Sequence, residues 1–343
     1  MFRSKTLFVV GAGASNEASL PTSKELARKI ADKLDIQVEQ GYKQISGSYL
    51  IPDAIRRPVP PHNNYRDINS YLDAAWAIRD AMPQALAIDN YLDAHSSDEK
   101  IELCGKLAIV ECILEAERQS RLFFKLPEAS GIDMSGLNET WYANFFQLLT
   151  ENVRKEDVGK VFENVSFIVF NYDRCIEHFL VYATANYYRI TIENAQQLVS
   201  KLTLLHPYGV VGRLPWQEPL GISFGAQING AKLLEASAQL KTFSQRIEDE
   251  SALSKMRKLV EEAQSIVFLG FAFHEPNMEL IKPARPSDVQ RIFGTAVGFS
   301  QSDLAVVEND ILAALQRSSV SMNVRRDLTC KKLIEEYWRS LAR

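Results

Sequence analysis

The feature that most narrows the fold is a short apolar run, Thr6–Val10, that ends abruptly in Gly11-Ala12-Gly13-Ala14-Ser15. Two glycines at the end of a strand allow a tight turn and close approach of backbone or ligand. A helix should follow over Ser23–Leu34, because Thr22 and Glu25 have capping-box spacing and Leu26, Ile30 and Leu34 fall on one helical face. Amides at the helix start would then face a phosphate, although a strand–helix turn that binds nothing has the same sequence signature.

Further strands are expected at Val165–Phe170, Leu202–Leu205, Ile222–Phe224, Ile266–Leu269, Ile292–Phe299 and Val320–Val324. Several are continuous apolar runs, as in a parallel sheet covered on both faces. Helical periodicity lies between most of them, at Asp173–Tyr188, Ala231–Ile247, Ala252–Ala263 and Ser302–Gln316. Residues 50–65 read as a proline-rich loop. From Asp67 to Thr150 only helices are expected, at Asp67–Met82, Gln84–His95, Asp98–Arg118 and Glu139–Arg154. The expected fold is therefore α/β, a Rossmann-like doubly wound, mostly parallel sheet with a large helical insertion. Residues 1–50 and 160–343 form the sheet domain and 51–159 the insertion. In the last stretch, Leu333, Ile334, Tyr337, Trp338 and Leu341 share one helical face, which docks on its own domain or on a partner.

Composition sets outer limits. The 343 residues are 46% apolar and 24% charged with a net charge of −4, so a nucleic-acid-binding chain with a basic stripe is disfavoured. No stretch approaches the roughly 20 apolar residues of a membrane span. Cys104, Cys112, Cys175 and Cys330 have no zinc-site spacing and read as free thiols of a cytoplasmic protein.

Chemistry gathers at expected strand ends. The turn at Gly11 lacks glycine at Asn16, so it misses the dehydrogenase fingerprint, and no Gly-Lys-Ser/Thr follows to make a P-loop. Glu39, after Ile36-Gln37-Val38, could imitate a ribose-binding acid. Val169-Phe170-Asn171-Tyr172-Asp173 closes a buried strand with an amide and a carboxylate, where open α/β sheets bind ligands. Asp173 is equally suited to cap the next helix. Leu204-Leu205-His206-Pro207-Tyr208-Gly209 puts an imidazole at another strand end, suited to general-base work. Gly270, within Leu269-Gly270-Phe271-Ala272-Phe273-His274, allows close ligand approach, and His274 is either a binding residue or a cap. His62, His95 and His178 have weaker settings.

In this order, the glycine turn, Asn171-Tyr172-Asp173, the His206 turn and the Gly270 turn resemble the NAD-binding elements of the sirtuin-like superfamily, over residues 6 to about 280. The chain looks like the bacterial NAD-consuming branch of anti-phage defence. It lacks the four-cysteine ribbon of protein deacylases and has Pro21-Thr22-Ser23-Lys24 in place of Pro-Asp-Phe-Arg. Ser70-Tyr71-Leu72-Asp73 and Ile88-Asp89-Asn90-Tyr91-Leu92-Asp93 resemble that branch's helical insertion. Phe271 stands where deacylases place a small hydroxyl residue, so that contact does not transfer.

The resemblance implies an NAD glycohydrolase that releases nicotinamide and ADP-ribose. Gly11, Ala12, Gly13 and Ser15 would hold the diphosphate, and Asn171 and Asp173 the ribose and the attacking water. His206 would be the general base and Gly270 would lie near the adenosine. It also implies NAD as substrate, no further cofactor and no zinc or other metal, a homo-oligomer, and a separate hexameric ATPase of the HerA type as partner. Competing readings are a non-catalytic NAD or ADP-ribose sensor, a protein deacylase, and a nuclease component of a larger ATPase-containing complex.

Overall fold

The structure, a computed structural model, describes residues 2–40, 43–61, 66–125, 130–243, 245 and 249–343. Eight strands occur among them: β1 (Thr6–Val10), β2 (Gln37–Glu39), β3 (Lys43–Ser46), β4 (Val165–Val169), β5 (Thr203–Leu205), β6 (Ser265–Leu269), β7 (Arg291–Thr295) and β8 (Ser321–Arg325). Six of them form one sheet in the order β5-β4-β1-β6-β7-β8, and every pairing is parallel. Counted by their appearance in the chain, these strands run 3-2-1-4-5-6, the Rossmann order, with its switch point between β1 and β6.

The strands read as unbroken apolar runs because the sheet is covered twice. Leu7, Val9, Ile168, Ile266 and Phe268 enter one buried core; Phe8, Val10, Phe167, Val267 and Leu269 enter the other. This is the period of two expected of a pleated strand. The first core is closed by helices that include Ser23–Leu34, Asn69–Ala81, Glu99–Gln119 and Glu250–Glu262. The second is closed by Trp141–Thr150, Cys175–Tyr188 and Cys330–Glu336. The C-terminal face is one of these docked surfaces, since Leu333, Ile334 and Leu341 are buried and the Tyr337 ring packs 5.1 Å from that of Phe293.

Helix Ser23–Leu34 begins where the sequence places it, with both arms of the Thr22–Glu25 capping box formed. Glu17 tethers two more helix starts. Its carboxylate accepts the Trp141 N–H at 2.7 Å and the Lys331 N–H at 3.0 Å.

Some expectations fail for identifiable reasons. Ile222–Phe224 is not a strand. Its buried apolar side chains suggest one, but the Ile222 and Ser223 carbonyls accept hydrogen bonds from the Arg174 guanidinium instead of a neighbouring strand. The proline-rich segment contains a helix, Leu50–Arg56, because Pro52 falls in its first turn, where no intrahelical N–H is lost. The helix expected to start at Ala231 ends at Ser237, after which Lys241 N–H turns back to the Tyr208 carbonyl at 3.0 Å. Helix Ile192–Val199, capped by Thr191, was not expected. Among the described residues, no helix is long and apolar enough to cross a membrane.

Candidate active site

The glycine turn and Gly270 meet at the switch point. Gly11 N–H donates to the Leu269 carbonyl at 2.9 Å, Gly13 N–H to the Gly270 carbonyl at 3.1 Å, and Ala14 N–H to the Gly11 carbonyl at 3.0 Å. Gly270 has φ +55°, and a Cβ there would lie 2.0 Å from the Ala14 nitrogen. A Cβ on Gly11 would lie 2.5 Å from the Gly270 oxygen. The expectation of free amides cradling a diphosphate is thus corrected for Gly11 and Gly13. The glycines let the ends of β1 and β6 touch; the Gly11 and Gly13 amides are spent on that contact and the Ala14 amide on the turn itself.

A cleft of about 1020 Å³, counting its open mouth, lies beside this contact. Gly11 and Ala12 line it, as do Asn171, Tyr172 and Asp173 at the end of β4. Gly13, Ser15 and Gly270 are not lining residues. Ser15 is buried and links the β4 residues: Asn171 Nδ2 donates to Ser15 Oγ at 2.9 Å, and Ser15 Oγ donates to Asp173 Oδ2 at 2.8 Å. Asp173 Oδ1 accepts the Cys175 N–H at 3.1 Å, so Asp173 serves the start of the following helix while facing the cleft. Among the described residues the Asn171 side-chain oxygen has no hydrogen-bond partner, which leaves it as that residue's polar atom for a ligand.

The opposite wall comes from the short helix Ile88–Ala94, which supplies Asp89, Asn90 and Asp93. Asp89 accepts a short hydrogen bond from the Tyr172 hydroxyl. Burial pushes its carboxyl up, and the Tyr172 bond opposes that shift. Tyr208 OH donates to Asn277 Oδ1 at 2.6 Å. His274 also lines the cleft, and burial pushes its imidazole below the ordinary histidine value, which favours the neutral ring. Phe170, Phe271 and Phe243 supply apolar surface. Three aspartates but no lysine or arginine occur among the described lining residues.

His206 does not line this cleft, contrary to expectation. Its Nδ1 lies 3.2 Å from the Asn171 backbone oxygen and its Nε2 2.9 Å from Glu177 Oε1. Both neighbours accept hydrogen bonds, so with an ionised Glu177 both ring nitrogens carry protons. Burial works against that charge, but Glu177 and the Asn171 carbonyl raise the imidazole above its usual value. The ring borders a second groove with Glu177, Arg213, Trp216 and Lys241. As arranged, it has no free nitrogen for a water in the first cleft.

Glu39 is exposed on the β2–β3 hairpin, outside the six-stranded sheet, and does not line the cleft. His178 is buried with its ring 4.0 Å from that of Phe224, and His95 Nδ1 lies 2.9 Å from the Tyr91 carbonyl. His62 lies outside the described residues. All four cysteines are buried free thiols. Sequence reasoning missed Glu177, Tyr208 and Asn277 and saw Asp89 only as part of a resemblance. Spacing signals none of their contacts, because each partner lies on a distant element.

No protein-family model matches the chain, and no curated protein matches it. Among solved structures, one described as a crystal structure of a Sir2 homolog–NAD complex aligns with it. The alignment covers 99% of this chain and 91% of that one, at 13% identity and a TM-score of 0.42.

Proposed function

We propose that the cleft binds NAD and hydrolyses its nicotinamide–ribose bond, giving nicotinamide and ADP-ribose. The observation that carries this reading is the cleft's position. It opens at the switch point of a 3-2-1-4-5-6 sheet, where such sheets hold nucleotides, with Gly11, Ala12, Asn171 and Asp173 in its wall. The three aspartates of the lining suit the pyridinium end of NAD. Nicotinamide leaves as a neutral molecule, so no general acid is needed. The site must orient the ribose, favour its developing cation and present water. In this reading the Asn171 oxygen orients a ribose hydroxyl or the water, and Asp173 sustains that arrangement through Ser15. The neutral ring of His274, in the same wall, takes the water's proton, and His206 acts indirectly, through Asn171.

One observation favours a second reading, a sensor that holds NAD or ADP-ribose without turnover. Both His206 nitrogens are engaged and three amides of the glycine turn are consumed. Purified chain incubated with NAD separates the two. Released nicotinamide supports hydrolysis, binding without release supports the sensor, and the absence of both release and binding overturns both. Asn171→Ala should lower release by at least about 10²-fold without unfolding the chain. Defence by NAD depletion, self-assembly and a HerA-type ATPase partner rest on the sequence resemblance, and a cytoplasmic setting on the four free thiols.

A further inference from the structure

Glu177 is the third residue of helix Cys175–Tyr188 and is buried. One carboxylate oxygen faces His206 at 2.9 Å. The other, Oε2, is shut away from solvent with no hydrogen-bond partner among the described residues. A buried acceptor left unmatched is costly, and a buried charge is retained where a partner uses it. The partner here is His206, whose other nitrogen reaches the Asn171 carbonyl at the end of β4.

The three groups form one line, from Glu177 through the imidazole to the backbone of the residue whose side chain enters the cleft. Two acceptors flank the ring. A neutral imidazole would point a lone pair at one of them unless Glu177 itself carried the proton. Other charges lie around the pair. Asp173 acts on His206 from the β4 end. Across the groove lie Arg213, Glu218 and the Lys241–Asp249 ion pair, whose atoms are 2.7 Å apart.

We propose that Glu177 is a positioning residue for the hydrolysis proposed above, on which this inference rests. Its carboxylate keeps His206 an imidazolium, whose Nδ1–H anchors the Asn171 carbonyl and so fixes the Asn171 side chain in the cleft. Loss of the Nε2 proton at high pH leaves lone pair facing carboxylate, and the ring and Asn171 shift together.

The test is Glu177→Gln, which keeps the shape and removes the charge. Nicotinamide release by the wild-type chain should fall as pH rises through the titration of His206. In the variant that fall should move to lower pH by about one unit or more. The effect should sit in kcat, lower by roughly ten- to a hundredfold, with KM little changed. An active wild type with an unshifted profile in the variant overturns the role of Glu177 alone. A wild type that releases no nicotinamide overturns the hydrolysis reading and this role with it. Should the variant melt early, ¹⁵N spectra of the wild-type His206 ring decide the matter: two protonated nitrogens at pH 7 support the proposal and one overturns it.

Discussion

Replacing Arg174 with methionine should destabilise the chain severely, and more at pH 8 than at pH 5. The Arg174 and Glu117 side chains are both 0% exposed and form a buried ion pair. Arg174 Nε donates to Glu117 Oε1 at 3.0 Å, and Nη2 makes a short bond to Oε2. The same guanidinium donates to the carbonyls of Gly212 at 2.9 Å and Ser223 at 3.2 Å, and to that of Ile222. Glu117 also accepts the Gly225 N–H at 2.9 Å. Methionine fills the volume but leaves a buried carboxylate without its cation and three carbonyls without their donor. Removing one partner of such a pair costs about 3–5 kcal/mol, against a total stability of about 5–15 kcal/mol. At about 2 °C per kcal/mol for a large domain, the melting temperature should drop by about 6–10 °C.

The pH dependence has a definite sign. Burial pushes the Glu117 carboxyl up, and Arg174 pulls it back down. Without Arg174 the folded value rises further. A carboxyl raised in the folded state favours folding below its unfolded value, about 4.3, and that support is lost as pH rises through the folded value. The deficit of Arg174→Met should therefore grow from acid to neutral pH. Adding Glu117→Leu should recover part of the loss, because no lone charge then remains buried. Melts followed by circular dichroism at pH 5 and pH 8 test this. A drop below about 2 °C at pH 8, or equal drops at both pH values, refutes the reasoning.

Two further outcomes concern stability. Gly270→Ala and Gly298→Ala both place alanine at positive φ, +55° and +90°, but only the first puts a Cβ into backbone, since Gly298 has nothing within 4 Å. Gly298→Ala should cost somewhat more than about 1 kcal/mol, and Gly270→Ala should cost far more or prevent folding; equal urea midpoints would count against the close-approach argument. His178 is packed against Phe224 and Phe124, and burial lowers its imidazole to about 3. Its contribution to stability is present above the ordinary histidine value, near 6.5, and is lost as pH falls from there towards 3. His178→Phe should flatten the acid decline in that window, and a parallel decline would show that His178 does not drive it.

The central sheet was legible because β1, β4 and β6 are buried on both sides, so every residue in them is apolar or small. Helix Ser23–Leu34 was legible because its cap is local, three residues from Thr22 to Glu25. What sequence could not show is where distant chemistry intervenes. Ile222–Phe224 has a strand's composition, but Arg174, 48 residues away, takes the Ile222 carbonyl. His206 looked like a free base because nothing in the order of residues reveals that Glu177, 29 positions earlier, meets it. The turn at Gly11 was read correctly as tight, yet its two glycine amides are consumed by a strand end more than 250 residues later. Part of the cleft belongs to helix Ile88–Ala94, so the wall carrying Asp89 cannot be inferred from the sheet pattern alone.

Glu17 has a consequence for how the molecule opens. Its one carboxylate serves the first turns of two helices nearly 190 residues apart in the chain, Trp141–Thr150 and Cys330–Glu336. These helices also pack against each other. Detaching helix Cys330–Glu336 strips the Lys331 N–H from that carboxylate and exposes the flank of its neighbour. Slow amide exchange in the two segments should therefore be lost as a unit, making the chain's end a cooperative part of the second core, not a fraying tail.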